Sequence, residues 1–148
     1  MARQRSLLSL ILVIVTSFFL TWGNFTPAAV AASSPIAAQA PQIEQYVPKI
    51  VALRDRMGEL QQLIQQRDWI FVGNFIHGPL AELRLDMTYV TRSLPKKNQA
   101  AARQITRDLF THLVNIDQAA GSGNSVKAAS NYAAALADID KFLQLVPN

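Results

Sequence analysis

The stretch Trp69–Leu94, WIFVGNFIHGPLAELRLDMTYVTRSL, constrains the fold of this chain more than any other. Its apolar residues fall at Trp69, Val72, Ile76, Leu80, Leu83, Met87, Val90 and Leu94. Every step is three or four residues, the stripe of an amphipathic helix packed against other helices. In the middle stands Gly78-Pro79. Proline removes one backbone donor and disfavours helix in the residue before it. A simple break should reset the phase of the stripe, and here the phase runs through. The spacing therefore predicts one long helix, kinked at Gly78-Pro79.

Three more stripes flank it. Ile50, Val51, Leu53, Met57, Leu60 and Ile64 predict a first helix beginning near Pro48, which suits a first helical turn. Gln66-Arg67 is the expected turn and Asp68 the expected N-cap of the second helix. Pro95 blocks that helix and opens a third, striped by Ala102, Ile105, Leu109, His112, Leu113 and Ile116. Gly121-Ser-Gly-Asn124 is a loop, with Asn124 or Ser125 capping a fourth helix. That helix is expected to bury Val126, Ala129, Ala133, Leu136, Ile139, Leu143 and Val146. Glycine is sparse and alternating β-branched runs are nearly absent, which favours an all-α domain. Four helices of about twenty residues on short connections predict an up-down-up-down four-helix bundle over residues 48–148.

The N-terminus reads differently. Arg3 and Arg5 precede an apolar run, Leu7–Leu20, and Ala29-Val30-Ala31 offers small residues before a cleavage point. Residues 1–31 are thus expected to be a secretory signal peptide, the alternative being a retained anchor. Residues 32–47, rich in Ala, Ser and Pro, are expected to be a flexible lead-in.

No catalytic constellation is present. The chain has no cysteine, which excludes disulfides, thiolate chemistry, Cys-ligated metals and c-type haem. Net charge is +4, but the arginines are spread along the helices among acids, so nucleic-acid binding is poorly supported. Asp108 and His112, one turn apart, are candidate ligands for a surface divalent metal; a half-buried histidine beside a polar neighbour is the plainer expectation. Met57, Met87, His77 and His112 leave a b-type haem open, though core packing is the expected use of the methionines. Glu82, Arg84 and Asp86 are expected on a solvated face, and the wide stripe is expected to bury Phe71 and Phe75. Lys96 and Lys97 begin the third helix, where positive charge opposes the helix dipole at a cost of a few tenths of a kcal/mol each, and Arg103 and Arg107 extend the basic character. In an antiparallel bundle Lys49, Arg92 and Lys141 fall near that end, making a candidate docking surface.

The run W-x5-FIHGPL-x-ELR-x-DM-x-Y-x-x-RSL, with Trp69, His77, Gly78, Pro79, Leu80 and Asp86, resembles the centre of the PsbQ family in its cyanobacterial form. The resemblance continues through Phe110-Thr-His112 and the ending Asp140-x-Phe142-Leu-x-Leu-Val-Pro147. It implies the same four-helix fold and a non-enzymatic extrinsic subunit on the lumenal side of the thylakoid membrane. Its implied partners are the photosystem II core, the manganese-stabilising protein and a core antenna subunit. It further implies support for the manganese-calcium cluster and retention of calcium and chloride, with no cofactor of the chain's own. An exported bundle binding a metal or b-type haem is the alternative. Many cyanobacterial members carry a lipidated cysteine after the apolar run. This chain reads Leu20-Thr-Trp-Gly-Asn24 there, so no lipid anchor is expected.

Overall fold

The computed structural model describes residues 40–147. The expected signal segment and residues 32–39 of the lead-in lie outside the described residues. Those described are all-helical, with five helices and no strand: α1 (Ala40–Gln66), α2 (Trp69–His77), α3 (Leu83–Ser93), α4 (Lys96–Gly121) and α5 (Ser125–Gln144). None is long and apolar enough to cross a membrane. The first helix begins earlier than expected, at Ala40, and holds Pro48 in its interior.

The long second helix is interrupted where only a kink was expected. Gly78 leaves helical geometry at ψ −95°, and α3 starts at Leu83. Pro79 has no amide to donate. The Leu80 amide reaches back five residues to the Phe75 carbonyl at 3.3 Å, and the amides of Ala81 and Leu83 each reach back three, to Gly78 and Leu80. The connection is itself wound as tight turns, so it turns the chain much as a helix would. That is why Ile76, Leu80, Leu83 and Met87 all remain buried across a real break.

Two helix ends close by the same device. At the end of α1 the Arg67 amide bonds the Ile64 carbonyl and the Asp68 amide bonds the Leu63 carbonyl, with Arg67 at φ +58°. At the end of α4 the amides of Gly123 and Asn124 bond the carbonyls of Ala120 and Ala119, with Gly123 at φ +66°. Both are left-handed C-caps of the Schellman kind. Asp68 occupies the expected N-cap of α2 without a side-chain bond, whereas the Asn124 side chain accepts from the Lys127 amide at 2.9 Å.

Side-chain pairs fix how the helices run. Tyr46 stacks on Tyr89, centroids 4.7 Å apart, and the Arg56 guanidinium lies over Phe75, so α1 runs antiparallel to the α2–α3 segment. The Gln99 side chain caps the carbonyls of Arg92 and Leu94, and Arg84 covers Phe110, which sets α3 against α4. Asn98 donates to the Leu145 carbonyl, joining the start of α4 to the end of α5. Arg54 reaches Asp140 through Nε at 2.8 Å and Nη2 at 3.3 Å, joining α1 to α5. The core between them holds Ile50, Met57, Leu60, Leu83, Met87, Leu109, Ile116, Ile139 and Phe142.

Two stripes differ from expectation. The α5 stripe is shifted by one residue: Ala128, Tyr132, Ala135, Asp138, Ile139 and Phe142 are buried, while Val126 is 81 % exposed and Ala129 and Ala133 face outward. On α2, Phe75 is buried and Phe71 is 57 % exposed.

Candidate functional site

Three charged surfaces flank α3. The first is the corner where α3 ends and α4 begins. Arg92 occupies the last turn of α3, and Lys96 and Lys97 the first turn of α4; all three are exposed. The α5 end is tied to this corner by Asn98. Lys141 sits one turn earlier on α5, and its Nζ lies 3.1 Å from Asp138 Oδ1. Lys49 stands apart from the corner. It lies 5.3 Å from the Tyr46 ring centroid and lines a groove of about 500 Å³ with Gly78, Pro79, Glu82 and Asp86.

That groove corrects the expectation of a solvated carboxylate face. Glu82 is exposed, but Asp86 is only 5 % exposed. Burial raises the Asp86 pKa above the ordinary carboxylate value; Lys49 opposes the shift and Glu82 adds to it. Arg84, read with them in sequence, points the other way, its guanidinium 3.9 Å from the Phe110 centroid.

The third surface is the groove between α3 and α4, about 310 Å³ beside Thr88, Thr91, Arg92, Arg103, Thr106 and Arg107. It continues past Arg107 to Arg84, Phe110, Thr111, Val114 and Asn115. No carboxylate lines either part. The sequence set Arg103 and Arg107 with the basic start of α4 and Arg92 near the same end, but read Arg84 with Glu82 and Asp86. These arginines lie on one face at Arg84 and Arg92, two turns apart on α3, and at Arg103 and Arg107, one turn apart on α4. The spacing and the antiparallel approach were both expected; the structure adds that the two pairs line one groove.

The histidines lie elsewhere. His77 Nε2 is 3.3 Å from Asp117 Oδ1 at an exposed site between α2 and α4. His112 Nδ1 is 3.2 Å from Asn131 Oδ1, and its Nε2 is 3.6 Å from Asp138 Oδ2. Asp108 is not brought to His112; it accepts from Gln104 at 2.8 Å. Among the described residues no group of three or more His, Asp or Glu could hold a metal ion. Met57 and Met87 are buried in the core.

The family profile described as PsbQ, oxygen evolving enhancer protein 3, matches residues 28–147. The chain belongs to the PsbQ family. It is 40 % identical over 148 residues to CyanoQ of Synechocystis sp., covering 99 % of this chain and 98 % of that protein. It is also 26 % identical over 84 residues to the chloroplastic oxygen-evolving enhancer protein 3-1 of Arabidopsis thaliana, covering 57 % of this chain and 38 % of that one. The PsbQ residues quoted from the sequence divide between core and surface. Leu80 and Asp86 are buried and Trp69 is half-buried against the core. Gly78 and Pro79 line the Lys49 groove, and His77 is exposed.

Proposed function

We propose that this protein is a non-enzymatic extrinsic subunit of photosystem II, bound to the lumenal side of the thylakoid membrane without a lipid anchor. The observation that carries this reading is the likeness to CyanoQ along the whole chain, within a family described as oxygen-evolving enhancers. In this reading α2 and α3 together make one member of an up-down-up-down four-helix bundle. The antiparallel pairings of α1 with α2–α3, α3 with α4 and α4 with α5 support it. Its action is mechanical: it covers neighbouring subunits, stabilises the oxygen-evolving complex and slows loss of calcium and chloride, which belong to the complex. The N-terminal segment directs export and is removed after Ala31.

The α3–α4 corner docks the protein, through Arg92, Lys96 and Lys97, with Lys141 as a flanking charge. Exposed charges govern association and salt sensitivity more than intrinsic stability. Changing Lys96 and Lys97 to glutamate leaves thermal stability unchanged or slightly raised, because acid at a helix start suits the dipole. A salt-wash titration on photosystem II membranes then releases the double variant at lower salt than the wild type. Coincident release curves from two folded proteins would remove the corner from the docking surface. Failure of the wild type to bind these membranes at all would remove the function itself.

A further inference from the structure

We propose that the groove between α3 and α4 is a binding site for an extended acidic peptide segment of a partner protein, whose carboxylates pair with Arg92, Arg103 and Arg107. The proposal rests on the chemistry of the groove and does not depend on which complex the chain joins.

Charge is the first argument. Three guanidiniums border one cavity, Arg84 extends the row, and no carboxylate lines it. Ion pairs elsewhere in the described residues engage Arg54, Arg56 and Lys141, yet none engages these four arginines. Arg107 bonds only the neutral Gln104 side chain. Like charges gathered without a counterion repel one another, so a polyanionic occupant gains what the free protein lacks.

A second observation comes from the floor. Thr91 is 5 % exposed, and its Oγ1 is buried without a hydrogen-bond partner. A buried hydroxyl left unmatched costs free energy, and Thr91 is one of the residues that line the groove. The neighbouring hydroxyls of Thr88 and Thr106 are already turned to the carbonyls of Arg84 and Ala102.

Shape then selects the class of anion. The arginines form a row: Arg103 and Arg107 are about 6 Å apart along α4, and Arg84 and Arg92 about 12 Å apart along α3. Alternate residues of an extended peptide are about 7 Å apart on one face, so successive carboxylates meet successive guanidiniums. Past Arg107 the groove turns partly apolar, with Phe110 and the exposed Val114. A peptide can place an aliphatic side chain there, whereas a free oxyanion has nothing to offer it. Nucleic acid fits less well, because Phe110 lies under the Arg84 guanidinium and presents no open ring for stacking.

The test is fluorescence anisotropy of the full chain with a labelled peptide of alternating glutamate and serine ending in two leucines. The wild type binds it in a salt-dependent manner, and the glutamine version binds at least about tenfold more weakly. Arg103→Glu with Arg107→Glu reduces affinity about tenfold or more, while Lys96→Glu with Lys97→Glu, an equal change of net charge, reduces it less than about threefold. If the glutamate pair fails to fold by circular dichroism, Arg103→Gln with Arg107→Gln takes its place, with an expected loss of about threefold or more. Equal losses from the arginine and lysine pairs would reduce the groove to general electrostatics and overturn the proposal. So would equal binding of the glutamine peptide, or tighter binding of a single-stranded oligonucleotide to the same arginines.

Discussion

The α2–α3 segment and α5 each line the core, but they specify their buried faces by different means. In α2–α3 the inward positions hold Val72, Phe75, Ile76, Leu80, Leu83, Met87, Val90 and Leu94. Nearly every one is large, and polar residues stand between them. The pattern is strong enough to survive a break in the helix. In α5 the inward positions alternate between bulky Tyr132, Ile139 and Phe142 and small Ala128 and Ala135. Alanine also occupies outward positions, at Ala129 and Ala133. Residue identity there barely distinguishes one face from another. What distinguishes them is α4, whose own Ala119 and Ala120 are buried and whose pairing with α5 is the most extensive among the described helices. A face written in large side chains is readable locally; one written in alanine is defined by the helix it touches.

The comparison breaks most visibly at Phe142. As a wholly buried aromatic on a helix otherwise rich in alanine, it is expected to cost about 3–5 kcal/mol when changed to alanine, measured by urea unfolding. A loss under about 1 kcal/mol would mean that α5 is held by backbone proximity alone. A smaller but sharper test uses two alanines of α5. Ala135→Leu overpacks a closed interface and is expected to cost about 1–3 kcal/mol, whereas Ala133→Leu stays within about 0.5 kcal/mol. Equal effects would return α5 to the register that its sequence suggests.

The break in α2–α3 has its own probe. A Cβ on Gly78 would stand 2.8 Å from the Asn74 carbonyl oxygen. Gly78→Ala therefore strains backbone against backbone, offset in part by lower entropy of the unfolded chain, for a net loss of about 1 kcal/mol. A gain in stability would show that the helix continues through this point.

The smallest effect concerns Asp86. Its carboxyl holds a proton more tightly when folded, because it is buried. Between the ordinary carboxylate pKa and the raised one the folded protein binds more protons, so stability falls as pH rises through that window and stays lower above it. Asp86→Asn is expected to raise the melting temperature at neutral pH, by no more than about 1 kcal/mol in stability, with the gain fading below about pH 4. A lowered melting temperature at neutral pH would show that the field of Lys49 outweighs the cost of burial.

From the sequence alone come the all-α class, the connections near Arg67, Pro95 and Gly121–Asn124, and the residues that fill the core from Trp69 to Leu94. These follow from short-range physics: helical periodicity, the missing proline amide, and side chains large enough to demand burial. The family resemblance was legible for a related reason, since it rested on uncommon residues at fixed spacing. Tertiary structure decided what depends on the neighbour. Packing against α4 chose which alanines of α5 face inward. Hydrogen bonding reaching back three to five residues turned the expected kink at Gly78-Pro79 into a break without loss of phase. Docking of α1 on α3 buried Asp86, which looked solvated in the sequence, and set Lys49 beside it rather than at the basic corner. The arginine groove is the clearest case. Arg92, Arg103 and Arg107 follow one another in the chain with no acid between them, but Arg84 stands between Glu82 and Asp86, and only its packing over Phe110 turns it to the groove that the others line.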